Sequence, residues 1–339
     1  MEQLHGLSID QGTAIAQVHV VTGHGAEQAV YLLVHHALAD GHHALALLHE
    51  LWTAYTAIVA GGDGDLAERP DFPVALEDML AERGYPSEPL IDPAAAEPAP
   101  TVTTATSAGH DNAGAGSGVP ALTRAQLSAA ETTALIDYGH RTGRTVNQLV
   151  SAAFIAATAA VRGIGTTRVL YGYPVDLRRR LGEPAAGFTD VTNALGMAFF
   201  QAETEEPSLD ELAAQVGARL AGDLEAGLVQ RPMSMAAGPM GAGGALPEDC
   251  AVAVITNWGP VPHLPTPEGL SLSEFYPAFH LEVPDGPGAA DWAAMAAKMV
   301  FAIVSSFDGR LNVDLSGGDN PTPLATEVLR NLRAFTLAD

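Results

Sequence analysis

The pattern of apolar and polar positions in the first sixty residues predicts two strands followed by a helix. Apolar and polar residues alternate over residues 13–22, which predicts a strand, and the continuously apolar residues 28–35 predict a second, buried strand. The Gly-His-Gly-Ala sequence at residues 23–26 indicates a turn between them. Over residues 44–60 the larger apolar side chains recur at helical spacing, which predicts a helix; they are Leu47, Leu48, Leu51, Tyr55 and Ile58.

After residue 121 the same patterns predict helices that alternate with strands. A helix is expected over residues 123–142, with Thr123 as its N-cap and Gly143 as the residue that ends it. Further helices are expected over residues 145–162 and 209–228. Strands are predicted over residues 168–174, 196–203, 252–258, 273–283, 294–305 and 310–316. This alternation is typical of a layered α/β domain.

Residues 85–120 differ in composition from the rest of the chain. Five prolines fall between positions 86 and 100, and a tract rich in Thr, Ala, Ser and Gly follows and ends at Pro120. A segment of this composition buries too little apolar surface to offset the entropy lost on ordering. We therefore expect an N-terminal domain over residues 1–84, a flexible crossover over residues 85–120 and a C-terminal domain over residues 121–339.

Composition argues against several classes of protein. Cys250 is the single cysteine among 339 residues, so no intramolecular disulfide can form and a cysteine-based zinc site is disfavoured. Residues 1–20 show no basic n-region and no apolar core of a secretory signal. The apolar residues 146–161 are interrupted by four polar side chains, which favours a buried helix over a membrane span. We expect a cytoplasmic protein without a transmembrane segment, and a peripheral membrane contact stays open.

The formal net charge of −24 bears on the choice of partner. A surface this acidic repels phosphate backbones, so we expect no nucleic acid partner. The only basic run is Arg178-Arg179-Arg180. We expect Arg179 and Arg180 to be solvated, and docking of an acidic acyl carrier protein on this run is the alternative.

The segment His35-His36-Ala37-Leu38-Ala39-Asp40-Gly41 carries the strongest indication of chemistry. It follows a predicted buried strand, so a loop there presents side chains to a cleft on a rigid support. Adjacent strand residues point to opposite faces, so we expect only one of His35 and His36 to face the cleft. Histidine side chains titrate at about pH 6.5 and can take a proton from an attacking hydroxyl. Gly41 permits a backbone conformation or a close approach that a Cβ would prevent.

Two other kinds of site are weaker interpretations of the same residues. The chain has no G-x-S-x-G motif and Cys250 lies among acidic residues, so a direct transfer fits better than an acyl-enzyme. A metal site would draw on a cluster of histidines and carboxylates whose spacing does not suit a tetrahedral metal; they are His35, His36, His42, His43, His49, Asp40 and Glu50. We expect no metal and no cofactor, and we expect His42 and His43 to be solvated or capping residues.

Five segments in register resemble one family. His-His-x-x-x-Asp-Gly is the signature of the superfamily that holds chloramphenicol acetyltransferase, carnitine acyltransferases and peptide-synthetase condensation domains. The longer run LLVHHALADGHHALALLHELWTAYT resembles the polyketide-associated acyltransferases of actinobacteria, the family of phthiocerol/phthiodiolone dimycocerosyl transferase. The resemblance continues through TGRTVNQLVSAAFIAAT, YGYPVDLRRRL, TNALGMAFFQAE and FDGRLNVDL, so that it covers nearly the whole chain.

The resemblance implies a fold and a set of roles. It implies two chloramphenicol-acetyltransferase-like α/β sandwich domains with a tunnel between them. Only 34 residues precede the signature here, fewer than in the family, so we expect an incomplete first domain. It also implies that His36 is the general base, that Asp40 forms a salt bridge with Arg178, and that Asn193 and Gly196 lie beside the acyl channel. His35 and Gly41 would be structural residues of the active site. Asn257 either lines the channel or belongs to a packed strand end.

The implied reaction is O-acyl transfer from a thioester of coenzyme A or an acyl carrier protein to a hydrophobic lipid or polyketide alcohol. Two alternatives stay open. One is amide formation, as in condensation domains, because the same base serves an amine. The other is a truncated, inactive relative that binds acyl chains or a carrier protein.

Overall fold

A computed structural model describes residue 9 and residues 12–23, 27–66, 71–85, 123–183, 185–231, 249–279, 299–316 and 321–336. The first part contains strands β1 (Ala16–Thr22) and β2 (Gln28–Val34), followed by the long helix α1 (Gly41–Val59) and the short helix α2 (Leu76–Glu82). The two strands pair antiparallel, with Val18 opposite Leu32. The predicted order of two strands and a helix is confirmed, whereas α2 was not predicted.

The second part is built on a six-stranded sheet. Its strands are β3 (Thr123–Gln126), β4 (Val169–Asp176), β5 (Leu195–Phe200), β6 (Ala251–Pro260), β7 (Met299–Phe307) and β8 (Arg310–Ser316). They lie in the order β3-β8-β7-β6-β4-β5, with β6 parallel to both β4 and β7 and the other neighbours antiparallel. The sheet is therefore mixed, and the helices that pack on it make the fold a layered α/β arrangement.

Four helices belong to this sheet: α3 (Ala129–Thr142), α4 (Val146–Arg162), α5 (Leu209–Glu225) and α6 (Pro321–Ala334). Helix α4 is central, because ten of its 17 residues are buried. Its side chains form one core cluster with alternate residues of the sheet, among them Tyr171, Ala253 and Val304. None of the described helices is both long and apolar enough to cross a membrane.

Capping explains where these helices begin and end. Ser128 and Glu131 form a reciprocal capping box at the start of α3, and Thr145 and Gln148 do the same for α4. Gly143 ends α3 in the left-handed conformation, with φ of 66°, as predicted. The predicted N-cap at Thr123 is wrong, because residues 123–126 pair with β8 and the helix starts only after Ser128.

Three further segments differ from the sequence-based predictions or lie outside the described residues. No strand forms over residues 273–279, where Pro277 interrupts the run and cannot donate to a ladder. The final β-rich set is followed by helix α6, which the patterns did not predict. The predicted crossover lies almost wholly outside the described residues, as do residues 24–26 of the predicted turn and residues 294–298 of a predicted strand.

Candidate active site

The two histidines of the signature lie just beyond the end of β2. The backbone N–H of His35 still donates to the carbonyl of Ile15, at 2.8 Å, but residues 36–38 form a turn. The expectation that the pair alternates across a strand is therefore wrong. Hydrogen bonding distinguishes the two rings instead, since His35 Nδ1 accepts the backbone N–H of Ala37 at 3.2 Å.

His36 is exposed, and one of its ring nitrogens is engaged by its own turn. Its Nδ1 lies 3.0 Å from the carbonyl oxygen of Ala39. A carbonyl oxygen can only accept, so we infer that Nδ1 carries the hydrogen and that Nε2 holds the lone pair of the neutral ring. Asn193 donates from Nδ2 to the carbonyl of His36, at 3.2 Å, and the ring of Phe279 meets the imidazole edge to face at 5.2 Å.

Asp40 is completely buried and holds the loop in place. One carboxylate oxygen caps helix α1 by accepting the backbone N–H of His43, at 3.0 Å. The other accepts the backbone N–H of Ala194 at 2.9 Å and a guanidinium N–H of Arg178 at 2.8 Å. The ion pair predicted between Asp40 and Arg178 is thus present, and it joins parts of the chain 138 residues apart. Burial of a carboxylate is tolerated only with partners of this kind.

Arg178 also binds a second carboxylate, that of Asp176, for which no role was predicted. Its Nη1 lies 3.2 Å from Asp176, and its Nη2 also donates to the carbonyl of Phe188 at 3.1 Å. The sequence offered one signal, because Asp176 precedes Arg178 by only two residues. In the structure Asp176 also accepts the backbone N–H of Arg178. The neighbours Arg179 and Arg180 are exposed, as predicted.

The prediction that His42 and His43 are solvated or capping residues is wrong for His43, which is buried, while His42 is partly exposed. His43 is 2% exposed, and its Nδ1 lies within hydrogen-bond distance of the carbonyls of Val191 and Thr192, at 3.1 and 3.2 Å. His42 stacks on Phe188, and its Nδ1 lies 3.5 Å from a carboxylate oxygen of Asp176. Both histidines face the six-stranded part of the molecule because helix α1 begins against it. Across the described residues, no three His, Cys, Asp or Glu side chains converge to hold a metal ion.

A narrow cleft of about 40 Å³ lies between the start of α1 and the six-stranded sheet. Space of that size holds about one to three water molecules. Its lining residues are Gly41, His42, Pro174, Asp176, Leu195, Thr256, Asn257 and Trp258. A Cβ on Gly41 would fall on the indole of Trp258, so the predicted close approach at this glycine is present.

The three residues predicted to lie along a channel have different surroundings. Asn257 lines the cleft, donates to Asn147 Oδ1 at 3.3 Å and accepts the backbone N–H of Gly259 at 2.9 Å. Asn193 bonds the backbone of His36, as described. Gly196 pairs with Val175 in the sheet, where a Cβ would overlap the carbonyl oxygen of Val229. That all three border an acyl channel stays a prediction.

Comparison with known proteins places this geometry in a family. Residues 116–316 match a family model described as the C-terminus of phthiocerol/phthiodiolone dimycocerosyl transferase. The phthiocerol/phthiodiolone dimycocerosyl transferase of Mycobacterium sp. (strain JLS) is 35% identical over 282 residues, which span 80% of this chain and 67% of that protein. The transferase of the same name from Mycobacterium tuberculosis (strain ATCC 25618 / H37Rv) is 32% identical over 289 residues, or 66% of its length.

Solved structures agree on the fold. The chain resembles polyketide synthase associated protein 5 from Mycobacterium tuberculosis with a TM-score of 0.70 and 25% identity, over 97% of this chain and 78% of that one. The first condensation domain of the CDA synthetase has a TM-score of 0.57 at 15% identity, over 96% of this chain and 67% of that one, a likeness of fold alone. The predicted fold class of two chloramphenicol-acetyltransferase-like α/β domains is confirmed. The chain belongs to the phthiocerol/phthiodiolone dimycocerosyl transferase family and is an acyltransferase.

Proposed function

We propose that this chain moves an acyl group directly from a thioester of coenzyme A or an acyl carrier protein to a hydrophobic alcohol, with His36 as the general base. The observation that carries the proposal is the hydrogen bond between His36 Nδ1 and the carbonyl of Ala39, at 3.0 Å. It orients the ring and leaves the lone pair of Nε2 on an exposed side chain. The names of the relatives support an acyl donor and a lipid acceptor, since they are transferases of the dimycocerosyl group with phthiocerol and phthiodiolone as acceptors.

The proposed reaction needs only one base, which takes a proton from the alcohol and returns it to the leaving group. Nε2 of His36 accepts the proton of the alcohol while the alcohol oxygen attacks the thioester carbonyl carbon. Collapse of the tetrahedral intermediate breaks the carbon–sulfur bond, and the imidazolium returns the proton to the departing sulfur. The products are an ester and a free thiol. Asp40 and Arg178 hold the loop that carries His36, while the backbone of the same loop fixes the ring.

A covalent acyl-enzyme is not required by this arrangement. The only thiol, Cys250, lies just before Ala251 at the start of β6, whereas the cleft is lined by residues 256–258 near the other end of that strand. Seven residues of strand separate the two points, which is about 23 Å. Direct transfer also agrees with the lack of a G-x-S-x-G sequence.

The test uses octanoyl-coenzyme A and decanol, with thiol release and ester formation both measured. We expect His36→Ala to lower the rate by about a hundred- to ten-thousand-fold, the range for loss of a general base. His49→Ala changes an exposed histidine of α1 and is the matched control, with activity retained. Equal turnover by wild type and a folded His36→Ala protein would discard the assignment.

Two further arms of the same experiment decide the finer points. Intact-mass spectrometry of the protein mixed with octanoyl-coenzyme A should show no added acyl group, and a stable adduct on any residue would refute direct transfer. Replacing decanol by decylamine tests the condensation-type alternative. Faster formation of the amide than of the ester would favour that alternative over the proposal.

A further inference from the structure

Arg124 lies on the edge strand β3, on the sheet face turned away from the helices. Its guanidinium binds Asp314 of β8 through two nitrogens, at 2.7 and 2.9 Å. Asp314 is fully buried, and burial raises its pKa while the Arg124 hydrogen bonds lower it. This part of the arrangement is a paired charge within the sheet.

The rest of the Arg124 guanidinium reaches out of the sheet to one stretch of chain. Nη1 binds Glu274 at 3.0 Å, Nη2 donates to the carbonyl of Phe275, and the guanidinium lies 3.7 Å from the ring centre of Tyr276. Three consecutive residues are thus held by one side chain through an ion pair, a hydrogen bond and a cation–π contact. Residues 274–279 are called the anchored segment below.

The anchored segment ends on the proposed base. Phe279 packs between the imidazole of His36, at 5.2 Å, and the ring of Phe301 on β7, at 5.3 Å. Only Pro277 and Ala278 separate Tyr276 from Phe279, and Pro277 is buried. Proline fixes its own φ and restricts the residue before it to extended backbone, so the link between Arg124 and Phe279 is short and stiff.

We propose that Arg124 is a positioning residue for His36, acting through the anchored segment and the ring of Phe279. The inference rests on the proposed role of His36. It gives the base a second support, independent of Asp40 and Arg178, and located on the opposite edge of the six-stranded sheet. The Ala39 carbonyl determines which nitrogen of the His36 ring is protonated, and Phe279 fixes the position of that ring.

The first test reads the His36 ring without any substrate. Diethyl pyrocarbonate acylates an accessible, unprotonated ring nitrogen, and peptide mass spectrometry gives the rate at His36. The double variant Glu274→Ala/Tyr276→Ala removes two of the three contacts between Arg124 and the anchored segment, so that only the hydrogen bond to the Phe275 carbonyl remains, and it leaves the buried Arg124–Asp314 pair intact. Both side chains are exposed, so the fold is expected to survive. We expect severalfold faster modification of His36, because a loosened segment holds Phe279 less firmly against the ring.

The matched control is Gln126→Ala. Gln126 lies on the same strand and face and bonds Asn312 of β8 at 2.7 Å, but none of its side-chain bonds within the described residues reaches the anchored segment. This variant should leave the modification rate at the wild-type value. A wild-type rate in the folded Glu274→Ala/Tyr276→Ala protein, or the same increase in Gln126→Ala, would overturn the inference.

The second test is a double-mutant cycle on turnover. Arg124→Met should lower kcat more than it raises KM, and Arg124→Lys should recover part of the loss because a lysine restores the charge without the planar fork. In a Phe279→Ala background the effect of Arg124→Met should vanish, since both changes remove the same support. An undiminished effect in that background would refute transmission through Phe279. If His36 proves not to be the base, the modification rates still decide whether Arg124 positions its ring.

Discussion

Helices α1 and α4 are similar in length but differ sharply in how they are packed. Ten of the 17 residues of α4 are buried, against three of the 19 residues of α1, which are His43, Leu45 and Trp52. Exposed large apolar side chains are also frequent in the first part of the chain, for example Val20, Ile58 and Val59. The region that carries the proposed base therefore supplies little of the core.

Rigidity at the proposed base comes instead from the six-stranded part. Asp40 is held by Arg178 and by the backbone of Ala194, and the backbone of His36 is held by Asn193. The indole of Trp258 packs closely against Gly41 at the start of α1. One region thus carries the proposed base, and the other fixes its position. Changes in the second region should therefore reach His36 without touching it.

The largest effect is expected for Arg178→Ala, which breaks the link between the two regions. It leaves two carboxylates without their cation, one of them fully buried, so we expect a loss of about 3–5 kcal/mol in the free energy of unfolding. Activity should fall with it. Urea titration followed by fluorescence measures the first effect, and thiol release measures the second.

Asp40→Asn tests the same ion pair by changing its other partner. Arg178 keeps Asp176 in this variant, so the loss should be smaller than in Arg178→Ala. The double variant should be close to Arg178→Ala alone, because the two changes remove one interaction. Fully additive losses would show that the two residues act separately and would contradict the comparison.

A moderate effect is expected for Gly41→Ala, which adds a single atom at the contact between the two regions. The added Cβ would meet the indole of Trp258, and displacing a packed ring costs about 1–3 kcal/mol. Gly222→Ala on α5 is the control, since a Cβ there has open space and should stabilise the helix by about 0.5–1 kcal/mol. Thermal unfolding measures both variants. A neutral Gly41→Ala would show that Trp258 does not restrain the loop.

The smallest effect is expected for Glu131→Gln, remote from the loop. Hydrogen bonds from the backbone of Ser128 and from Arg333 lower the pKa of Glu131 from 4.5 to about 2. A lowered carboxyl pKa adds stability that is present above about pH 4.5 and is lost as the pH falls towards 2. Because the group is largely solvated, we expect Glu131→Gln to cost about 1 kcal/mol or less at pH 7.

A pH series and a second variant test the expectation for Glu131→Gln. The difference between Glu131→Gln and wild type should shrink as the pH is lowered from 4.5 to 2, as followed by acid unfolding. Glu211→Gln removes the carboxylate charge from the equivalent capping box of α5, where no arginine contributes to the lowered pKa, so its loss should be the smaller one. A change in His36 reactivity in either variant would contradict the division of roles between the regions.

Sequence alone determined the features that depend on near neighbours. The spans of α4 and α5, the end of α3 at Gly143 and the strand-loop-helix order around His36 follow from periodicity, capping and turn chemistry within a few residues. The family signature added the pairing of Asp40 with Arg178, which no local pattern contains. Thr123 was misassigned because a short edge strand of four residues carries too little alternation to outweigh a plausible cap.

Only the tertiary structure decided which side chains meet across long separations. The bond of His43 with Val191 joins residues 148 positions apart, and Arg124 reaches Glu274 across 150 positions. A strand was predicted over residues 273–283, yet residues 274–279 form the anchored segment, because Pro277 interrupts the ladder and Arg124 holds the chain. Local propensity cannot encode such contacts, since their energy arises only when packing has brought the partners together and excluded water from them.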